Sequence, residues 1–432
     1  MRNVLSILAA GVAGMLLAGV IGFQPFGTAP APAPEPAAAP GFAAVPGELG
    51  GQDPFGPYEP VDWPKDLATL PGHEGWTFGS GSSVFAESPD RIFVLQRGEL
   101  PDLPRPMARK LGTSLVFPIG RLPWRDATAA SPPANGGTTQ PAEPGIENWL
   151  KAGNQFGVDA RWEHTLKIFD GEGNVLDAWT QYDKMFQRPH QIAISPYDPQ
   201  KHVWVVEDHK HAIFKITNDG KQIVQTIGTY GVLGDDETHF NRPTFMDWFP
   251  DGSFVVADGY NGARVGKFDA AGKYLTSWGQ RGEAGKETRP GYMNNVHGIA
   301  VDPKTRQVFV NDRANRRIQV FDENGQYLRE WSVGRLPADV HTIHIYDDGY
   351  LWAADRGTNK MVKYDLEGNF QYSWGVWGDF PGGMWGVHDF TVDSDGNVYV
   401  AEVDNGGAQK YRPRQGANPA FMLGKPLRPA GQ

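Results

Sequence analysis

Four of the 11 histidines stand in similar sequence contexts, each at the start of a short apolar segment. They are His190 in RPHQIA, His297 in VHGIA, His341 in VHTIHI and His388 in VHDFT. Neutral imidazoles are good zinc ligands, and three of them with a fourth position open are typical of a catalytic zinc site. Because the chain has no cysteine, any transition metal must be held by histidines and carboxylates. These histidines are therefore the first candidates for chemistry.

An internal repeat accounts for the recurring context of the histidines. In five segments, a β-rich strand ends in an acidic residue and is followed by a polar turn and a further strand. The acidic residues are spaced by between 43 and 54 residues and are Asp208, Asp258, Asp312, Asp355 and Glu402. A period of about 40–50 residues with short strands is typical of four-stranded propeller blades.

A sixth copy of the repeat is split by an insertion. Its first part is Arg91 to Leu100 and its last part is His164 to Trp179. The middle of the insertion, residues 126–146, is of low complexity, and we expect a disordered surface loop there. Six copies predict an all-β chain that forms a six-bladed β-propeller of NHL-like repeats over residues 58–432. We expect residues 58–72 to help close the ring against the last blade.

The repeat brings the histidines to one level of the propeller. The innermost strand of each blade lines the central channel, so residues at the start of these strands form a ring. His190, His297 and His388 come from blades two, four and six, and this alternation predicts a three-histidine zinc site. His341, in blade five, lies outside that pattern and is a candidate substrate or outer contact. The alternative is that the histidines pack the channel or bond to the backbone.

A second set of candidates lies at the ends of the blade strands, close to the repeated acidic residues. It comprises Arg97, Tyr260, Arg313 and Arg356, together with Asp258. These positions lie at one mouth of the channel, where several cations next to a metal suit an anionic substrate such as a carboxylate. A tyrosine near a dication could ionise and act as a general base. The alternative is turn chemistry, in which each arginine pairs with a neighbouring aspartate.

The motifs that carry these candidates resemble a known family. The sequences QRG, RPH, ADGY, VHGIAVD with NDRANRRIQVF, and GVHDF are similar to those of peptidyl-α-hydroxyglycine α-amidating lyases. The resemblance covers roughly residues 75–412, and it implies a six-bladed propeller. It also implies a catalytic zinc bound by His190, His297 and His388.

The resemblance further implies how the other site residues act. The catalytic tyrosine of the family falls on Tyr260, and its two active-site arginines fall on Arg97 and Arg313. A structural calcium would be held by Asp389 and by backbone carbonyls near Val84 and Ile192. The implied reaction is the cleavage of a carbinolamide, a peptidyl-α-hydroxyglycine, to an amide and glyoxylate. A different α-hydroxy-acid adduct on the same scaffold is the alternative substrate.

Two functions of other classes compete with this lyase. The first is a non-catalytic exported propeller that binds protein or glycan, since fold alone does not decide function. The second is a metal-dependent hydrolase or lactonase, although such sites use Asp, Glu and Asn ligands where this channel has histidines. A bound metal, identified by element and stoichiometry, would separate the three.

The beginning of the chain predicts export. Residues 4–23 form an uncharged apolar run within a predicted signal peptide or membrane anchor over residues 1–26, and an Ala/Pro-rich linker follows over residues 27–57. We therefore expect a periplasmic or extracytoplasmic location. The net charge of −10 argues against a nucleic-acid partner. We expect a monomer whose partner is a small anionic or peptide-like substrate.

Overall fold

The computed structural model describes residues 54–99, 109–111, 114–116 and 163–427. They belong to one compact unit that spans Gly41–Gln432. The predicted anchor, most of the Ala/Pro-rich linker and the loop at residues 126–146 lie outside the described residues. No helix in the described part of the chain is long and apolar enough to cross a membrane.

Six antiparallel four-stranded sheets form the fold, which is the predicted all-β, six-bladed propeller. From the inner to the outer strand, the blades are Ser80–Ser88, Arg91–Arg97, Leu166–Phe169 and Val175–Ala178; Pro189–Ile194, Val203–Glu207, Ala212–Ile216 and Ile223–Ile227; Pro243–Trp248, Phe254–Asp258, Arg264–Phe268 and Tyr274–Trp278; Val296–Val301, Val308–Asp312, Arg317–Phe321 and Tyr327–Ser332; Val340–Ile345, Leu351–Asp355, Lys360–Tyr364 and Phe370–Trp374; and Val387–Val392, Val398–Glu402, Ala408–Pro413 and Tyr58–Val61.

The other described elements are short. Gln280–Arg281 pairs in parallel with Tyr292–Met293, and Arg109–Leu111 pairs with Ser114–Val116. Single-turn 3₁₀ helices span Leu67–Thr69, Thr180–Tyr182, Arg313–Asn315 and Pro419–Phe421.

The ring is closed by a strand from the beginning of the propeller. Tyr58–Val61 is the outer strand of the sixth blade and pairs with Ala408–Pro413, from Tyr58 opposite Pro413 to Val61 opposite Lys410. The Tyr58 side chain is buried, and its hydroxyl accepts a hydrogen bond of 2.8 Å from the Leu423 backbone. This is the closure that the sequence predicts, carried by four residues at the start of the expected segment.

The hydrophobic core lies between neighbouring blades. One cluster, for example, joins Phe245 of the third blade to Ile299 of the fourth, and equivalent clusters fill the other contacts between neighbouring sheets. Strand residues that alternate between the two faces of a sheet supply these apolar layers. The inner strands also pack against one another around the ring, so the residues that begin them are brought to one place.

A recurring Trp–Gly contact links successive blades at their outer edges. Gly325 has a φ of +85°, and a Cβ atom there would lie 2.6 Å from the Trp278 ring of the preceding blade. Trp179 covers Gly220 and Trp331 covers Gly368 in the same way. Only glycine combines this left-handed backbone with so close an approach. The repeated tryptophans and hairpin glycines of the sequence therefore form one recurring packing contact between blades.

Candidate active site

Three histidines converge in the channel as predicted. His190, His297 and His388 are each the second residue of an inner strand, and each is buried. One ligand atom from each side chain lies within 4.8 Å of those of the other two. The ring centroids are 4.7 to 5.3 Å apart. The alternation over blades two, four and six thus becomes a compact group of imidazoles.

A local irregularity in each inner strand aims these side chains. The strand register shifts between Pro189 and Gln191, between Val296 and Ile299, and between Val387 and Asp389. A bulge of this kind bends the strand and redirects a side chain, and bulges are common next to active sites. Each histidine lies inside such a shift, so the backbone turns the imidazoles toward the channel axis.

Backbone carbonyls fix two of the three rings. Nδ1 of His297 lies 2.6 Å from the carbonyl oxygen of His341, and Nδ1 of His388 lies 2.6 Å from that of Ser82. Since a carbonyl only accepts, Nδ1 carries the proton in both rings and Nε2 keeps its lone pair. Metal-binding histidines are commonly oriented by such a bond on the other nitrogen.

The three histidines fit a metal ion. Burial lowers the pKa of each imidazole well below its usual value, and neighbouring histidines and arginines add to the effect, so the rings are held in the neutral, ligating form. Nε2 of His388 and Nδ1 of His190 are buried without a hydrogen-bond partner among the described residues. An all-nitrogen donor set of this kind suits zinc and other first-row divalent ions.

Tyr260 lies against two of these histidines. Its hydroxyl is 3.1 Å from Nε2 of His190 and 2.9 Å from Nε2 of His297. It is placed by Gly259, where any Cβ atom would collide with the Val296 carbonyl. The amides of Gly259 and Tyr260 both donate to the Arg242 carbonyl. The turn that follows the strand Phe254–Asp258 therefore delivers the phenol to the histidine group.

Arginines surround this phenol. The guanidinium carbons of Arg242, Arg188 and Arg313 lie 4.4, 5.1 and 5.9 Å from the centre of its ring. Burial raises the pKa of Tyr260, but the charges of Arg188, Arg313 and Arg97 outweigh burial, and the pKa is lowered overall.

Two of the arginines keep buried nitrogens without partners. Arg97 is 4 % exposed, and its Nε and Nη2 atoms have no hydrogen-bond partner among the described residues. The same holds for Nη1 of Arg313. An unpaired buried donor carries a free-energy cost, which a carboxylate ligand would remove. Arg97 and Arg313 therefore offer donors that could pair with an anion.

The sequence did not indicate two of the surrounding cations. Arg188 and Arg242 both precede a proline at the start of an inner strand, and this repeated Arg-Pro pair was the available signal. They share the buried carboxylate of Asp208, at 3.4 Å from Arg188 and 3.0 Å from Arg242. Their proximity to Tyr260 arises from contacts between blades, which the repeat pattern does not specify.

The other predicted positions have different surroundings. Asp258 bonds to the Arg264 side chain and to the Asn241 backbone and so supports its own turn. Arg356 forms a two-pronged ion pair with Asp404, with distances of 2.7 to 2.9 Å. His341 is 4 % exposed and lies with its ring centroid 4.9 Å from His297 and 5.0 Å from His388. Only His341 of these three lies beside the histidine group.

The carboxylate implied for calcium is bonded to other residues of the protein. The Asp389 carboxylate contacts Nε2 of His344 at 2.9 Å, the Phe390 amide at 2.9 Å and the Ser83 hydroxyl. Ser83 also accepts a bond from the Ile192 amide. Both carboxylate oxygens are thus taken by donors of the protein. The calcium stays a prediction from the resemblance.

The chain has relatives among known proteins. It is 28 % identical over 271 residues to peptidylglycine α-amidating monooxygenase from Rattus norvegicus. This alignment covers 60 % of this chain and 26 % of the relative. A probable peptidyl-α-hydroxyglycine α-amidating lyase from Caenorhabditis elegans is 27 % identical, over 56 % of this chain and 67 % of that protein. The chain is a distant homologue of the amidating lyases.

Names that state no activity also occur among the homologues. NHL repeat-containing protein 3 from Mus musculus is 27 % identical over 59 % of this chain and 74 % of that protein. The chain matches only about a quarter, 26 %, of the length of the two monooxygenases from rat and mouse. No protein-family model matches the chain.

Solved structures align with this fold at low sequence identity. A streptogramin B lyase structure covers 79 % of this chain and 95 % of its own, with 14 % identity and a TM-score of 0.44. Virginiamycin B lyase from Staphylococcus aureus covers 60 % of this chain and 80 % of its own, with 16 % identity and a TM-score of 0.41.

Proposed function

We propose that this homologue is a metal-dependent lyase that cleaves a peptidyl-α-hydroxyglycine-like carbinolamide to an amide and glyoxylate. The observation that carries the proposal is the position of the Tyr260 hydroxyl, within hydrogen-bond distance of both His190 and His297 and surrounded by arginines. A scaffold protein needs no such combination, whereas a site that removes a proton beside a metal and an anion does.

The arginines bind the substrate carboxylate in this proposal. Arg97 and Arg313 offer buried donors without partners, and the planar guanidinium matches the two oxygens of a carboxylate. Binding the anion here would orient the adjacent carbon, which bears both the hydroxyl and the amide nitrogen. Because Arg97 is buried, the contact would also lie away from water, where charged hydrogen bonds are strongest.

Tyr260 moves the proton. Its oxygen, in the ionised form that the arginines favour, takes the proton of the substrate hydroxyl. The carbon–oxygen bond becomes a carbonyl as the carbon–nitrogen bond breaks, and the departing amide nitrogen takes up a proton. The products are the amide and glyoxylate, and no oxidant or reductant is consumed.

We propose zinc as the ion held by His190, His297 and His388, because the donors are all imidazole nitrogens. When bound there, zinc would act as a Lewis acid on a substrate oxygen. Calcium is not part of the proposal, since Asp389 is already bonded to Ser83 and His344.

The apolar run at residues 4–23 supports a location outside the cytoplasm, which a reporter fusion would test.

The test is glyoxylate release from N-benzoyl-α-hydroxyglycine. We expect turnover by the wild type and a loss of about 10²–10⁴-fold in kcat in Tyr260→Phe. Tyr230→Phe is the matched control, because Tyr230 is exposed and its hydroxyl donates to the Met185 carbonyl. Undiminished turnover in Tyr260→Phe would refute the assignment. A folded, metal-bound protein that releases no glyoxylate would favour the non-catalytic alternative.

A further inference from the structure

One carboxylate joins two residues of the channel. Asp339 directly precedes the inner strand Val340–Ile345, and its Oδ1 lies 3.0 Å from Nε of Arg313. Its other oxygen, Oδ2, lies 3.2 Å from Nε2 of His341. Nη1 of Arg356 is 3.9 Å from the same oxygen, but that arginine is paired with Asp404. Asp339 thus holds a residue of the fourth blade and one of the fifth.

The backbone of Asp339 is itself held firmly. Its amide donates to the Asp355 carboxylate at 2.8 Å, and its carbonyl accepts from the Arg356 amide at 3.0 Å. Both partners belong to the turn at the end of the next strand of the same blade. The carboxylate is therefore presented from a fixed point, although its side chain is 31 % exposed at the channel mouth.

The two bonds of the Asp339 carboxylate leave a hydrogen-bond donor on Arg313 and an acceptor on His341 unused. Since a carboxylate only accepts, Nε2 of His341 carries the proton and Nδ1 keeps a lone pair. Nδ1 of His341 and Nη1 of Arg313 are both buried, and neither has a hydrogen-bond partner among the described residues. The site thus contains an acceptor and a donor whose orientations depend on one aspartate.

We propose that Asp339 is a positioning residue that orients Arg313 and His341 to recognise ligands carrying both a carboxylate and an N–H group. Arg313 would bind the carboxylate, and Nδ1 of His341 would accept from the N–H. N-acyl amino acids of the glycine type have this arrangement. The inference rests on the proposed function, because it concerns the same site, and it names the feature of the substrate that His341 reads.

Calorimetric binding of two unreactive acids to the metal-loaded protein tests the proposal. Hippurate (N-benzoylglycine) has the amide N–H, and 3-benzoylpropionate replaces that N–H by a methylene group. We expect tighter binding of hippurate by the wild type and no preference in His341→Phe. Asp339→Asn should weaken the binding of hippurate about tenfold, as expected for the loss of a charged hydrogen bond. Asp339→Glu should recover part of the lost affinity. Equal affinity of the wild type for the two acids, or no binding of hippurate, would overturn the proposal.

A double-mutant cycle separates orientation from general stability. The effect of Asp339→Asn should be smaller in an Arg313→Ala background, because one of the two residues that Asp339 orients is then missing. The matched control is Asp251→Asn, which removes a surface ion pair with Arg306. An undiminished effect of Asp339→Asn without Arg313 would overturn the positioning role. Neither acid is cleaved, so the binding test is independent of lyase activity. If the binding pattern is as expected but no glyoxylate is released from N-benzoyl-α-hydroxyglycine, the lyase is refuted and the role of Asp339 still holds.

Discussion

Nδ1 of His297 lies 2.6 Å from the carbonyl oxygen of His341. The bond joins the fourth blade to the fifth and leaves Nε2 of His297 facing the Tyr260 hydroxyl, 2.9 Å away. A buried imidazole with one nitrogen protonated and fixed, and a lone pair on the other, is in the form that a metal requires. The contact between blades therefore prepares the site before any ligand arrives.

Replacing one of the three histidines should remove the metal. In His297→Ala we expect the bound ion to fall from one equivalent per chain to nearly none, because two imidazoles hold a divalent ion much more weakly than three. Elemental analysis of the purified variant measures this. His202→Ala is the control, since His202 bonds to Asp198 in a turn. Full metal occupancy in His297→Ala would show that the ion binds elsewhere.

Arg97→Ala should lower kcat/KM for an anionic substrate. Its side chain is buried and keeps two nitrogens without partners, so the loss of a charged contact should lower kcat/KM by about 10- to 100-fold. Steady-state kinetics of glyoxylate release measures the change. The surface variant Arg306→Ala should leave kcat/KM unchanged. An equal kcat/KM in Arg97→Ala would exclude this residue from the carboxylate contact.

The Trp–Gly contact between blades should matter for stability. Gly325→Ala would bring a Cβ atom to 2.6 Å from the Trp278 ring, on a backbone with φ of +85°. We expect a loss of about 1–3 kcal/mol or more in the free energy of unfolding, from strain and displacement of the ring. Gly349→Ala is the matched control, because its φ is +71° but no atom lies within 4 Å of the added Cβ. Equal losses in the two variants would mean that the Trp278 contact contributes nothing.

Calcium should not stabilise the propeller. The Asp389 carboxylate is bonded to His344, Phe390 and Ser83, so an added ion would have to displace donors of the protein. We expect the same melting temperature for chelator-treated protein with and without calcium. A ligand that binds the folded state raises this temperature. A clear rise on addition of calcium would restore the site implied by the resemblance.

Much of the propeller could be predicted from the sequence, because each blade repeats one local pattern. The number of copies of the repeat predicts the number of blades, and the shared position of His190, His297 and His388 predicts their convergence. The sequence did not reveal Asp339, since its two partners belong to different blades and only the packing of the fourth blade against the fifth brings them together.

Spacing alone was also a weak guide to the residues around the acidic positions. Asp258 and Arg356 have repeat positions equivalent to those of residues near the histidine group, but Asp258 pairs with Arg264 and Arg356 with Asp404. Their partners lie in loops and strands that differ from blade to blade. A repeat position fixes where a backbone lies, and the neighbouring side chains decide whether the residue contacts the channel.

The most direct measurement is the titration of metal-free protein with zinc, with glyoxylate release followed at each addition. We predict that activity on N-benzoyl-α-hydroxyglycine rises linearly and stops at one equivalent per chain. Full activity of the metal-free protein, or no activity at one tightly bound equivalent, would contradict a lyase whose metal is held by His190, His297 and His388.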